Sequence, residues 1–137
     1  MKIAQREFHV STRSRTEMVD VTRQVEAAVR EAGIPSGDAI VFCPHTTAAI
    51  TINENADPDV VHDVLLALDE MVRRSNPGFR HSEGNSDAHT KSSLVGCSAQ
   101  VLIQEGDLVL GTWQAIYFCE FDGPRSRRVI VQVRGEG

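Results

Sequence analysis

Three segments, the first two of them polar, gather most of the side chains able to do chemistry. The first runs from Pro44 to Pro58 and sets His45 and Thr47 ahead of Asn53, Glu54, Asn55 and Asp57. The second runs from His81 to Lys91 and packs His81, Glu83, Asn85, Asp87, His89 and Lys91 into eleven residues. The third, Leu110 to Phe121, carries the chain's only Trp and only Tyr, with Gln114 and Glu120. Imidazole and carboxylate together suit a divalent ion. Imidazole also titrates near neutral pH, so it serves as a general acid or base. Asp87-Ala88-His89 places two ligand types at i and i+2, a spacing that matches no standard zinc motif.

Each segment also has a plainer reading. His81–Lys91 supplies almost nothing to a core, so it is either a solvated loop or a ligand set. Asn53, Asn55 and Asp57 are turn and cap residues as readily as site residues, and for Asp57 the cap is the better reading. Trp113 is either a core anchor or a flat surface on which a heteroaromatic ring stacks, with Gln114 beside it as a hydrogen-bonding partner. Glu120 falls in an apolar run, so it lies on a solvated face or is buried for a reason. No Gly-x-Ser-x-Gly occurs, and no Cys stands beside a base, which disfavours covalent catalysis.

Elements must position these groups. Ile3–Val10 reads as a strand. Ser14 and Glu17 match a capping box, and Met18, Val21, Val25, Ala28, Val29 and Ala32 follow at helical spacing up to Gly33. Asp38–Cys43 and Thr47–Asn53 read as strands. Along the second, His45, Thr47, Ala49 and Thr51 share a face if no bulge intervenes. Asp57-Pro58 opens a second helix whose apolar face is Val60, Val61, Val64, Leu65, Leu68, Met71 and Val72. Phe79–Thr90 shows no period. Leu94–Gln104 and Leu108–Gly111 flank a hairpin turn at Glu105-Gly106-Asp107, and Gln114–Phe121 and Arg127–Arg134 flank Asp122-Gly123-Pro124. Helices and strands do not alternate throughout. The order predicts one α+β domain over residues 1–137, mostly antiparallel, with a β-sandwich-like core and two main helices packed against it.

Composition narrows the partners. The chain has 41% hydrophobic and 24% charged residues and a net charge of −5, an ordinary globular balance. Its basic residues are scattered, apart from Arg125–Arg128 in a predicted turn, so no nucleic-acid footprint is expected. No apolar run approaches the ~20 residues that cross a bilayer, and Met1–Val10 does not resemble a signal peptide. Cys43, Cys97 and Cys119 lie in apolar, strand-like runs and form no CxxC. Buried, reduced thiols and a cytoplasmic location are expected.

The blocks His45–Asp59, Glu83–Lys91 and Leu110–Glu120, in that order, resemble the YjbQ-like family, often labelled secondary thiamine-phosphate synthases. Thr90 and Ala115 depart from the Ile and Gly expected there. The resemblance spans about Ile3 to Val133. It implies a compact β-sandwich-like α+β fold and a homotrimer. It also implies an activity: condensation of hydroxymethylpyrimidine diphosphate with thiazole phosphate, releasing pyrophosphate. It assigns no catalytic residue, so roles must come from chemistry. Loss of pyrophosphate needs its charge neutralised, which a divalent metal, Mg or Zn, does as a Lewis acid. His45, Glu54, Asp87 and His89 are the expected catalytic groups. His45, His81, His89 and Asp87 are the expected metal ligands, with Glu54 and Glu83 as further carboxylates. Thr47, Asn53, Asn85, Lys91, Trp113, Gln114 and Arg125 are expected to bind substrate, Lys91 or Arg125 holding phosphate and Trp113 stacking the pyrimidine. The alternative is a non-catalytic, metal- or metabolite-binding trimeric module.

Overall fold

Alternation along the longest strand shows how the sheets form. In β8 (Ser126–Glu136), Arg127, Val129, Val131 and Val133 are buried, while Arg128 and Arg134 face out. The computed structural model describes all residues 1–137. Before β8 come β1 (Lys2–Ser11), β2 (Glu17–Asp20), α1 (Thr22–Ala32), β3 (Ser36–Phe42), β4 (Ala48–Glu54), α2 (Pro58–Met71), α3 (Ser86–Val95), β5 (Ser98–Gln104), β6 (Asp107–Leu108) and β7 (Gln114–Glu120). They form a five-stranded sheet ordered β1-β8-β3-β5-β6 and a three-stranded sheet ordered β2-β7-β4. Every pairing is antiparallel.

The sheets face each other across one core. Val41, Val101, Val129, Val131 and Val133 from the large sheet meet Ala48, Ile50, Ile116 and Phe118 from the small one, and Val25, Ala28 and Val29 of α1 join them. The small sheet is covered on its other face too. There Ala49, Ala115, Tyr117 and Cys119 pack with Ala88, with Val61, Leu65 and Leu68 of α2, and with Val95 of α3. Burial on both faces explains why Ala115–Phe121 is continuously apolar apart from Glu120. The fold is the expected α+β class, with helices on antiparallel sheets.

Three local expectations are corrected. Ser14 and Glu17 do not open a helix. Glu17 Oε1 accepts the Arg13 and Ser14 backbone N–H groups within a turn, and residues 17–20 pair with β7 instead. Strand pairing overrides the capping pattern, and α1 starts at Thr22, whose N–H and hydroxyl both donate to Asp20. The segment without a period contains a third helix, α3. Its sequence, SDAHTKSSLV, has no apolar stripe because small residues dock it: Ala88 packs on the small sheet and Ser92 Oγ donates to the Ala48 carbonyl. Finally, β5 begins only at Ser98, since Leu94 and Val95 belong to α3.

Other expectations hold. Asp57 caps α2 by accepting the Asp59 N–H at 2.9 Å, with Pro58 in the first turn. Glu105 and Gly106, at φ 53° and 81°, make the two-residue hairpin turn between β5 and β6. No helix is long and apolar enough to cross a membrane.

Candidate functional site

Helix α3 divides the polar segment that the sequence presents as one cluster. Residues four apart share a helix face. Asn85, His89 and Ser92 therefore look one way, while Asp87 and Lys91 look the other. The first face borders a cleft of about 460 Å³. His45 and Thr47 reach it from the segment before β4, His81 and Glu83 from the approach to α3, and Asp122, Arg125 and Arg127 from the β7–β8 turn and the start of β8. The His81 and His89 rings stand edge to face, 5.4 Å between centroids. Three of the expected imidazoles thus meet, although their segments lie far apart in the chain.

His45 differs from the other two. Its Nε2 accepts the Arg128 backbone N–H at 3.0 Å, and its ring forms a T-shaped pair with Phe118, 6.4 Å between centroids. Burial and the Arg127 guanidinium both push its pKa below the ordinary value. An occupied Nε2 lone pair leaves the ring proton on Nδ1. His45 is therefore a neutral hydrogen-bond donor, which corrects its expected role as a base or as a metal ligand through Nε2. Strand alternation does not reach it, because β4 starts at Ala48.

The floor of the cleft is a buried ion pair. Glu120 is fully buried and Arg127 is 4% exposed. The guanidinium grips both carboxylate oxygens, and Glu120 also accepts Thr12 Oγ1 at 2.8 Å and the Asp122 N–H at 3.0 Å. Burial pushes the Glu120 carboxyl up, but these donors outweigh it and hold the group below its ordinary value. Arg127 Nη2 also donates to Thr47 Oγ1 at 2.9 Å, so Thr47 braces the floor. Asp122 in turn accepts Asn85 Nδ2 at 2.8 Å and Arg125 Nη2 at 3.1 Å. That leaves Asn85 Oδ1 buried without a donor.

Asp87 and Lys91 do not join this cleft. Asp87 is 1% exposed, and both its oxygens accept Arg15 at 3.0 Å. Lys91, equally buried, bonds Asp69 and lies 3.7 Å from Asp87. Burial raises the Asp87 pKa, but Arg15 and Lys91 more than reverse this, and the carboxylate stays ionised well into acid. Neither residue is free to bind a ligand, which corrects Asp87 as catalytic group or metal ligand and Lys91 as a phosphate contact.

Glu54, Asn53, Trp113 and Gln114 are corrected by register. Ala48 pairs with Glu120, and Glu54 with Gln114. Six residue steps at about 3.3 Å put the two ends ~20 Å apart. At the far end Glu54 Oε2 accepts the Asp57 N–H, Asn53 Oδ1 accepts the Glu54 N–H and Gln114 Oε1 accepts the Gly111 N–H. Trp113 is 63% exposed, neither a core anchor nor near the imidazoles. A larger hollow, about 890 Å³, lies at that end between α1 and the β6–β7 connection. It mixes Asp20, Glu26 and Asp107 with Arg23 and Arg30, and holds no imidazole.

The donor set does not fit a metal centre within one chain. No three His, Cys, Asp or Glu side chains are placed to share an ion. Asp87 is committed to Arg15, and His45 Nε2 to a backbone amide. Sequence reading missed Arg127, Asp122 and Arg15. For Arg127 a signal existed: it stands two before Val129 in the buried alternation of β8, so its side chain had to point inward. Nothing local marked Arg15, whose partner is 72 residues away, whereas Asp122 pairs with Arg125 three residues on as well as with Asn85 37 residues back. Cys97 is exposed, contrary to expectation, while Cys43 and Cys119 are buried and all three are free.

Comparison with known proteins agrees with this architecture. Residues 6–136 match the model of the family described as UPF0047 protein YjbQ-like. UPF0047 protein YugU of Bacillus subtilis is 55% identical over 93% of this chain and 97% of its own. UPF0047 protein MJ1081 of Methanocaldococcus jannaschii is 50% identical over 94% and 93% respectively. The crystal structure of an uncharacterized conserved protein of the YjbQ/UPF0047 family from Clostridium acetobutylicum superposes with a TM-score of 0.91. It is 52% identical and covers 93% of this chain and 98% of its own. With the sandwich, the helix placement and the matched span all in agreement, the chain belongs to the YjbQ-like UPF0047 family.

Proposed function

We propose that the histidine cleft is the centre of a small-molecule transferase of the thiamine-phosphate-synthase type. It would join hydroxymethylpyrimidine diphosphate to thiazole phosphate and release pyrophosphate. The observation that carries this reading is the meeting of His45, His81 and His89 with Arg125 and Arg127 in one cleft. In the reaction the bond from the hydroxymethyl carbon to the diphosphate oxygen breaks, and its electron pair leaves with pyrophosphate. The thiazole nitrogen supplies the pair for the new C–N bond. Arg125 and the Nδ1–H of His45 meet charge that grows on the leaving oxygen. His81 or His89 donates the proton that pyrophosphate takes up. The orphaned Asn85 Oδ1 supports a bound guest, since buried acceptors are rarely left unpaired. No resident metal enters the scheme.

The same reading includes a homotrimer, for which Leu94, Leu102 and Trp113, each over 60% exposed, offer uncovered apolar surface. It also includes a cytoplasmic setting, which suits three free thiols. The test supplies purified protein with both precursors and magnesium and follows pyrophosphate. Wild type should release it, and His89→Ala or His81→Ala, whichever removes the proton donor, should slow release by about 10²-fold or more, with unchanged thermal unfolding. Precursor binding without release would leave a binding module and refute the transferase.

A further inference from the structure

The face of α3 turned away from the imidazoles borders a second hollow, of about 510 Å³, that shares no residue with the histidine cleft. Arg15, Asp69 of α2 and Asp87 of α3 line it, with Arg73, Arg74 and Ser75 from the stretch just after α2, and no hydrophobic side chain does. Both carboxylates are already matched by cations. Asp87 holds the two Nη groups of Arg15, and Asp69 bonds the buried Lys91. Arg73 and Arg74 have no such partner. Arg74 Nε donates to the Gly84 carbonyl at 3.2 Å, a neutral acceptor that leaves its charge and both Nη groups uncommitted. Arg73 enters no ion pair and no side-chain hydrogen bond while lining the same hollow. With Lys91 included, four cations meet two carboxylates here, so two positive charges stand uncompensated on adjacent residues. Like charges so placed disfavour each other, and an anion that engages both relieves that cost.

We propose that this hollow binds a small polyanion that has no apolar body. The anion's oxygens take the free Nη groups of Arg73 and Arg74, whose planar forks match carboxylate or phosphate oxygens in pairs. The Arg74 bond to Gly84 ties the end of α2 to the approach of α3, which holds one fork in place. Ser75 adds a hydroxyl donor. Arg15 offers no free fork, because Asp87 occupies it. Without a hydrophobic wall, a heteroaromatic ring has nothing to pack against, so the guest differs in kind from the precursors considered for the cleft. Two sources supply the shared chemistry, an inorganic polyphosphate and an aliphatic polycarboxylate. The proposal does not depend on the cleft being a transferase site.

Isothermal titration calorimetry of the full chain tests it, with inorganic triphosphate and citrate titrated separately, without magnesium, at about 0.15 M ionic strength. At least one of the two should bind as one anion per chain, with a Kd below about 1 mM. Binding of one alone names the source, and binding of both shows that the oxyanion is what is read. Arg73→Gln removes a cation that bonds nothing in the fold, so it leaves folding intact. It should weaken binding by about tenfold, and Arg73→Gln with Arg74→Gln by about a hundredfold. Arg125→Gln, in the histidine cleft, should leave the affinity unchanged. A Kd above about 1 mM for both anions, affinity that survives the double variant, or affinity that Arg125→Gln removes would each overturn the proposal.

Discussion

Replacing Glu120 by Ala removes the carboxylate that four hydrogen bonds converge on: two from Arg127, one from Thr12 and one from the Asp122 N–H. What remains is a guanidinium 4% exposed, with only Thr47 as a partner. Breaking a buried pair from one side costs about 3–5 kcal/mol, because the surviving charge stays desolvated. Against a total stability of about 5–15 kcal/mol, that is anywhere from about a fifth to the whole of it. It corresponds to a fall in Tm on the order of 10–15 °C. Arg127→Met alone should cost a similar amount, since it strands Glu120. Glu120→Leu combined with Arg127→Met removes both charges and fills the space. It should therefore be no worse than either single change, a coupling of about 3 kcal/mol. Urea titrations followed by circular dichroism at pH 7 measure these three variants and Glu120→Leu alone, which closes the cycle. A cost below about 1 kcal/mol for Glu120→Ala, or a double variant equal to the sum of its singles, would refute the account of the cleft floor.

Two further predictions concern charges at the cleft and behind it. Asp87→Ala strands Arg15 and leaves the buried Lys91 with Asp69 alone, so it should cost about 3 kcal/mol. Turnover per folded molecule should meanwhile stay within about threefold; a larger loss in the fully folded variant would return Asp87 to the site. His45 has its folded pKa depressed below 6.5. Protonation therefore favours the unfolded chain: stability is complete above pH 6.5 and declines as pH falls through the folded value. His45→Gln keeps an acceptor for the Arg128 N–H without titrating, so it should lose less stability than wild type between pH 7.5 and 5.5. The other four histidines are common to both proteins and cancel in the comparison. Identical slopes would show that His45 is not held neutral.

Much of the architecture was legible because it is written in short-range patterns. The alternation in β8, the Asp57-Pro58 start of α2 and the Glu105-Gly106 turn are set by residues within a few positions of one another. The three-block resemblance carried the family and with it the sandwich. Helix α3 escaped because its stability comes from docking Ala88 and Ser92 on the small sheet, not from an apolar stripe.

The site followed the same division. Residue types alone marked His45, His81, Asn85, His89 and Arg125 as a plausible set, and they do line one cleft. Sequence could not say that Asp87 and Lys91, only two residues from His89, turn away. A helix rotates successive side chains by about 100°, and no pattern announced the helix. Nor could it say that antiparallel register carries Glu54 and Trp113 to the opposite end of the small sheet. The roles of Glu120 and Arg15 depended on partners distant in the chain, Thr12 and Asp87. Charge pairing is decided by what folding brings together, and that is a property of the packed structure alone.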